Sequence, residues 1–200
     1  KKGYQIPEAG RTARGTNLVN ILPVEQDEKV TAMLHVREMD DDSFLVFATR
    51  NGTVKRTAQS AFKNIRSNGI RALSLDEGDE LISVLQTTGE DKILLATHDG
   101  MAICFAETDA RAMGRDAVGV RGIRLREGDY VVGAGVCRPG ANVLTISEEG
   151  KGRRSRIDDY RITKRGGLGI RNYSNGNVGG IKIVDDTDDL ILISQNGILI

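Results

Sequence analysis

The chain has 200 residues, of which 39% are hydrophobic and 28% charged, and its 28 basic residues equal its 28 acidic residues. This length supports one large domain or two small ones with a buried core, and no apolar run approaches the roughly 18 residues of a membrane span. The zero net charge excludes a strong overall attraction to nucleic acid, but residues 151–171 carry a net charge of +6 and residues 185–189 hold four acids. Such separated poles would let one side of the molecule hold a polyanion.

The first ten residues, KKGYQIPEAG, do not have the pattern of a signal peptide, because no apolar stretch follows the two lysines. They also lack an initiator methionine, so we expect a piece of a longer protein. Cys104 and Cys137 lie in apolar, strand-like runs and are predicted to be reduced structural cysteines of a cytosolic protein. Since His35 and His98 are the only histidines and no ligand-like spacing occurs, no metal site is expected.

The chain starts with an incomplete repeat and continues with regular ones. Residues 15–36 are similar to the second half of the later units, with Pro23 and an insertion before the last predicted strand. Four later segments each place a polar pair and a glycine between two strand-like runs, which is typical of a tight hairpin because glycine accepts a positive φ. These hairpin glycines are Gly52, Gly100, Gly150 and Gly197, at separations of 48, 50 and 47 residues.

Each unit carries a second landmark after its hairpin. GIRALSLDEGDELISV from Gly69 matches GVRGIRLREGDYVVGA from Gly119, and both predict a strand, an EGD turn and another strand. Residues 58–65 and 106–113 are predicted to be loops with short helical turns at most. Each unit therefore has four strands, and a period near fifty residues indicates an all-β, propeller-like array whose neighbouring sheets stack. The predicted blades of this single domain are 43–90, 91–140 and 141–188, with a partial blade at 1–42 and the start of a further blade at 189–200.

The stretch ITKRGGLGIRN, residues 162–172, combines three glycines with three cations. A nucleotide-binding loop would need GxxxxGK[ST] leading into a helix, and neither feature follows Gly169. Two interpretations remain: a tight corner of a β protein, or a loop whose glycines let the backbone approach DNA phosphates while its cations neutralise them. The predicted DNA-contacting residues here are Lys164, Arg165, Gly166, Gly167, Gly169 and Arg171.

Basic residues also recur at equivalent positions of other units. KGRRSR, residues 151–156, would place cations on both faces of one strand, so it predicts an exposed outer strand, either a charged solubilising edge or a DNA-contacting one. TVKRT places two cations at the same point of an earlier unit, whereas MAICF has none there. In three units an arginine follows the landmark glycine by two residues. These patterns give the DNA-binding candidates Lys151, Arg153, Arg154, Arg156, Lys55, Arg56, Arg71, Arg121 and Arg171, with Arg11 and Arg14 in the first partial repeat and Lys63, Arg66, Arg115 and Arg124 as further surface cations.

Four stretches, residues 6–34, 48–57, 111–129 and 164–169, resemble the C-terminal domain of bacterial DNA gyrase A, which is part of a type IIA topoisomerase. The resemblance covers essentially the whole chain. It implies a β-pinwheel, which is a propeller-like disc, normally of six four-stranded blades, around which DNA is wrapped. In that alignment the chain runs from late in the second blade into the first hairpin of the sixth.

The family's signature, the box QRRGGKG, belongs to the first blade and is not in this chain. TKRGGLG, residues 163–169, is similar to it at a later blade. Lys164 replaces an arginine and keeps the charge, Thr163 replaces the glutamine, and Leu168 replaces a basic residue. Because one cation is lost, we expect this loop to grip DNA more weakly than the box.

The resemblance implies a non-catalytic domain that binds, bends and wraps duplex DNA and so supports ATP-dependent negative supercoiling by intact gyrase. It implies no cofactor for this stretch, since other parts of the enzyme use ATP and Mg²⁺. Its implied partners are double-stranded DNA, the rest of gyrase A, and gyrase B in an A2B2 assembly, in the bacterial cytoplasm at the chromosome and without a membrane. Because no base-reading element is evident, binding is expected to be sequence-independent and salt-sensitive. The related C-terminal domain of topoisomerase IV and a protein-interaction scaffold without DNA binding are the alternatives.

Overall fold

The computed structural model describes residues 5–22, 24, 28, 30–36, 39–66 and 69–192, and these form an all-β array of three antiparallel sheets. The helical segments in the described part are 3-10 turns, three of which lie at Gln59–Phe62, Glu107–Asp109 and Ile157–Asp159. The prediction of short helical turns after the first two hairpins is thereby confirmed. The strands are β1 Phe44–Thr49, β2 Thr53–Ala58, β3 Leu81–Thr87, β4 Lys92–Thr97, β5 Met101–Ala106, β6 Val120–Arg121, β7 Val131–Cys137, β8 Asn142–Ser147, β9 Gly152–Arg156, β10 Ile170–Arg171 and β11 Val178–Val184.

The predicted hairpins form where the polar pairs and glycines place them. β1 pairs with β2, β4 with β5, and β8 with β9, each antiparallel. Gly52, Gly100 and Gly150 close the turns with φ of +82°, +80° and +78°. Three of the four hairpin predictions are confirmed, and the fourth, at Gly197, lies outside the described residues.

The sheets exchange short strands between repeats. The first sheet has the order β3-β1-β2-β6 and the second has the order β7-β4-β5-β10, whereas the third contains β11-β8-β9. β6 pairs with β2 and β10 pairs with β5. In each pair, the short strand belongs to the repeat after the one that contains its partner hairpin. The predicted unit, with all four strands in one blade of contiguous sequence, is therefore wrong, because the landmark strand completes the preceding sheet and not its own.

The partial blade predicted at residues 1–42 forms no strand in its described part, which holds a 3-10 turn at Leu18–Asn20. The predicted strand after Gly69 is likewise not formed. By the pairing of β6 and β10, each segment would need a hairpin in the preceding repeat, and no hairpin occurs before β1 among the described residues. Pro23 and the predicted blade start from residue 193 onward lie outside the described residues.

The cores lie between neighbouring sheets, so the middle strand β4 is buried on both faces. Ile93 and Leu95 pack against the first sheet, whereas Leu94 and Ala96 pack against the third sheet around Val143. This two-sided burial explains the continuous apolar run of β4 in place of an alternating pattern. Between sheets, β3 contacts β7 and β7 contacts β11, so these strands form the inner side of the array and β6 and β10 lie on its outer side.

Candidate nucleic-acid interface

Three loops at fifty-residue spacing hold most of the unbalanced positive charge. Residues 61–75, 111–125 and 161–175 carry net charges of +3, +3 and +4, so the rest of the neutral chain carries −10. We call these segments the first, second and third rim loops, because the second and third contain the outer strands β6 and β10. The two poles predicted from the sequence, residues 151–171 and 185–189, are not separate in the structure, because Arg154 forms an ion pair with Asp186. The charge is divided instead between the three rim loops and the rest of the chain.

The second and third rim loops are joined by backbone and side-chain hydrogen bonds. Gly166 N donates to Gly122 O at 2.6 Å, and Arg124 N donates to Gly167 O at 2.8 Å. The Arg165 guanidinium donates to the carbonyl oxygen of Arg121 at 2.9 Å. These bonds fix the two loops side by side.

The first and second rim loops are joined in the same way. Ser74 Oγ donates to Asp116 O at 2.9 Å, and Arg115 donates to Arg71 O at 3.3 Å. Arg115 and Arg165 occupy equivalent repeat positions, and each binds the carbonyl of the landmark arginine in the preceding loop. The three loops therefore form one continuous outer band, which we call the rim band.

The landmark arginines Arg71, Arg121 and Arg171 are all exposed on this band. Arg121 lies opposite Thr53 at the start of β2, and Arg171 lies opposite Met101 at the start of β5. They therefore occupy equivalent points of consecutive sheets. Regularly spaced cations on an outer surface can contact successive phosphates of a bent polyanion.

The glycine-rich loop at residues 163–171 is fixed by contacts with β5 and with the 3-10 turn that follows it. Arg165 Nε donates to Asp109 O at 2.9 Å, and Lys164 Nζ lies 2.9 Å from a carboxylate oxygen of Asp109. Gly169 has a φ of +75°, and a Cβ there would lie 2.2 Å from Ala102 O. The glycine allows a close approach to the neighbouring strand, which supports the structural interpretation of this loop. The Lys164 ammonium, however, is largely exposed.

Two alanine substitutions separate close packing from backbone conformation in this loop. Gly166 has a φ of +80° but its nearest neighbour to a built Cβ is 3.6 Å away, so we expect Gly166→Ala to cost only the left-handed penalty of about 1–2 kcal/mol. Gly169→Ala adds a clash with the backbone of β5 and should cost about 2 kcal/mol more. Urea unfolding of both variants measures this difference. Equal losses would contradict the packing role of Gly169.

The predicted exposed strand KGRRSR is confirmed. β9 is the outer edge of the third sheet, and Arg153, Arg154 and Arg156 are exposed on it, with Lys151 exposed just before it. Several of these cations already face acids: Lys151 lies 2.9 Å from Glu149, Arg156 lies 3.4 Å from Asp158, and Arg154 forms an ion pair with Asp186.

The equivalent pair on β2, Lys55 and Arg56, is buried, so its placement on the exposed surface was wrong. Lys55 is 1% exposed, and its ammonium donates to Ala72 O at 2.7 Å and to Arg115 O. Arg56 faces the second sheet and pairs with the buried Glu107 at 3.5 Å. The second rim loop runs along β2 and covers it, whereas no such loop covers β9 in the described residues.

The burial of Lys55 predicts a pH-dependent stability. Burial lowers the pKa of Lys55 from 10.5 to about 8, so between these values the unfolded chain binds more protons than the folded chain. The free energy of unfolding should therefore rise with pH above about 8. Lys55→Met should remove this rise, which urea unfolding at pH 7.5 and at pH 9.5 would detect as a difference between the two proteins. An identical pH dependence in both would contradict the assignment.

The two DNA-binding candidates of the first partial repeat, Arg11 and Arg14, do not join the rim band in the described part of the chain. Arg11 and Arg14 are exposed in a segment without strands, and no hydrogen bond or ion pair joins them to the rim band within the described ranges. Sequence reasoning also missed two cations, Arg111 and Arg161, which are exposed on the second and third rim loops. Their fifty-residue separation was the signal that could have identified them.

The chain matches a known protein family over most of its length. A family model described as the DNA gyrase C-terminal domain, a β-propeller, matches residues 2–37, 43–88, 91–138 and 141–182. The chain belongs to the DNA gyrase C-terminal domain family. The A subunit of DNA gyrase from Staphylococcus aureus, in strains NCTC 8325 / PS 47 and COL, is 43% identical over 206 aligned residues. This alignment covers 100% of the chain and 23% of each relative, so the chain spans about a quarter of their length.

Solved structures share the fold. The C-terminal domain of DNA topoisomerase IV superposes with a TM-score of 0.88 at 24% identity, covering 98% of this chain and 63% of that one. The DNA gyrase A C-terminal domain superposes with a TM-score of 0.80 at 24% identity, covering 90% and 62%. These likenesses confirm the all-β, propeller-like fold. In the described part of the chain, no helix is long and apolar enough to cross a membrane.

Proposed function

We propose that this member of the family binds duplex DNA along the rim band, without sequence preference, and bends it around the outer side of the array. The supporting observation is the charge division, because three contiguous loops carry +10 while the rest of the chain carries −10. Acidic surface away from the band would repel DNA and restrict it to the outer loops.

The arrangement of the loops favours contact with phosphates over contact with bases. Arg71, Arg121 and Arg171 recur once per repeat on loops and two-residue strands, and no α-helix that could enter a major groove occurs among the described residues. Contacts of this kind position the duplex and carry no sequence information. Bending a site of 20–30 bp costs on the order of 1–6 kcal/mol, which several phosphate contacts can offset.

In the intact enzyme, bound and bent DNA would be presented to the rest of gyrase A, with gyrase B completing an A2B2 assembly. The domain would be non-catalytic and would need no cofactor of its own, since ATP and Mg²⁺ would be used elsewhere in the enzyme to introduce negative supercoils. It would act in the bacterial cytoplasm at the chromosome.

Salt-dependent binding of duplex DNA tests this function. The 200-residue chain is titrated with fluorescent duplexes of about 30 bp and unrelated sequences, between about 50 and 200 mM salt. We expect similar affinities for all sequences and a slope of log K against log salt of about −3 or steeper, because three landmark arginines displace about 0.9 ion each. Duplexes labelled at both ends should show increased energy transfer when bound.

The absence of binding at the lowest salt would overturn the proposal and favour a protein-interaction scaffold. A slope near zero would overturn the phosphate-contact mechanism. If binding left the energy transfer unchanged, the proposed bending would be wrong, but the proposed DNA binding would stand.

A further inference from the structure

Two thiols face each other on the side of the second sheet that packs against the third. Cys104 of β5 and Cys137 of β7 have their sulfur atoms 3.5 Å apart. Both are free, and β4 lies between their strands. The hydrogen bond from Cys137 lowers the pKa of Cys104, while the same interaction and burial raise the pKa of Cys137.

The pair lines a cavity of about 290 Å³. Of the residues that line it, Cys104 is buried and Cys137 is half-buried, whereas Arg138, Asp158 and Arg161 are exposed. Lys92 of β4 also lines it. Small solutes can therefore approach the half-buried Cys137 from this cavity, whereas Cys104 belongs to the hydrophobic core between the second and third sheets.

The geometry disfavours a direct disulfide between these thiols. A disulfide requires Cα atoms within about 6.8 Å, but Cys104 and Cys137 lie on strands separated by β4 and face different residues of it, Leu94 and Lys92, with about 4.8 Å between neighbouring strands. Closing the sulfur atoms from 3.5 Å to about 2.05 Å would therefore need movement of the sheet backbone.

A bridge through one atom fits the same gap. Two sulfur bonds of about 2.3 Å that meet at roughly 100° span about 3.5 Å, whereas a linear two-coordinate ion would need about 4.6 Å. In the described residues no cluster of three metal-ligating side chains occurs, so the central atom must be satisfied by two protein ligands. A pyramidal trivalent atom whose third bond is to carbon fits the 3.5 Å between the sulfur atoms and needs only two protein ligands.

We propose that Cys104 and Cys137 form a dithiol site that takes monosubstituted trivalent arsenicals and links β5 to β7 through a single arsenic atom. An arsenic oxide R–As=O reacts with the two thiols to give R–As(S–Cys)₂ and one water. Two As–S bonds form, the As=O bond breaks, and the two thiol protons leave with the oxygen. No oxidation state changes, so no oxidant or reductant is needed.

Phenylarsine oxide is the probe. With the native 200-residue chain we expect one adduct, with an intact mass increased by phenylarsine oxide minus one water, and protection of both thiols from maleimide. Cys104→Ala and Cys137→Ala should each bind at least about 100-fold more weakly, because the second bond is then no longer intramolecular. Thermal unfolding of both variants establishes that they fold, and a small-molecule dithiol should reverse the adduct.

A second arm uses diamide, a thiol oxidant, in place of the arsenical. We expect no intramolecular disulfide in the folded chain. Ready disulfide formation, the absence of an arsenical adduct, or undiminished binding by either single variant would overturn the proposal. None of these results depends on DNA binding, so the proposed DNA-binding function and the proposed dithiol site are tested independently.

Discussion

Replacing Arg71, Arg121 and Arg171 together with glutamine is expected to remove most of the salt-sensitive affinity for duplex DNA. All three side chains are exposed at equivalent points of the rim band. If each contacts a phosphate, the slope of log K against log salt should become shallower by about 2.7, and affinity near 0.1 M salt should fall by two to three orders of magnitude, roughly. Binding titrations at several salt concentrations measure both quantities.

A charge-matched control separates local contacts from net charge. Lys92, Arg138 and Lys182 are exposed cations outside the three rim loops, and their replacement by glutamine changes the net charge by the same amount. We expect this control to alter the slope by less than about one unit, because a missing phosphate contact accounts for about 0.9. Equal losses of DNA affinity in the two triple variants would show that the landmark arginines contribute only through net charge and do not contact phosphates individually.

Glu107→Ala is expected to give the largest loss of stability, about 3–5 kcal/mol, because it leaves buried donors and a buried cation without an acceptor. The Glu107 carboxylate is fully buried and lies 3.5 Å from Arg56 Nη1. It accepts hydrogen bonds from Thr87 Oγ1 at 2.7 Å and from the backbone N–H groups of Gly89 and Asp91 at 2.8 Å. The carboxylate thus connects the first sheet to the second hairpin.

Urea unfolding at neutral pH measures this loss, with Glu149→Ala as the matched control. Glu149 is exposed and pairs with Lys151 at 2.9 Å, so its removal should change the free energy of unfolding by less than about 1 kcal/mol. A loss below about 1 kcal/mol for Glu107→Ala would mean that water or a shifted side chain satisfies the orphaned groups.

The hairpins could be predicted because their signals are local. A polar residue followed by glycine between two apolar runs specifies a turn within a few residues, and Gly52, Gly100 and Gly150 adopt the positive φ that this chemistry requires. The exchange of β6 and β10 could not be predicted in this way. Strands of two residues have no periodicity of their own, and their partners lie in the preceding repeat.

The same limit explains which site residues were misplaced. Lys55 and Arg153 are equivalent in sequence, three residues after their hairpin glycines, yet one is buried and the other is exposed. The difference arises from a loop about sixty residues further along, which covers Lys55 through Arg115. Repeat position therefore predicted where the cations stand along a strand, but it could not predict what covers them.

The exchange of outer strands also defines the smallest segment that could be transplanted with its surface charge intact. A graft cut at the sequence boundary of a repeat, near residue 90, would leave β2 without β6 and would omit the second rim loop that lies upon it. A cassette from β1 to the end of that loop, residues 43–125, keeps the first hairpin and its covering arginines together, while β4 and β5 within it would take β7 and β10 from the recipient chain. In a recombinant of two homologous chains, any crossover between residues 59 and 169 accordingly places a hairpin and its outer strand, β2 with β6 or β5 with β10, in segments of different origin.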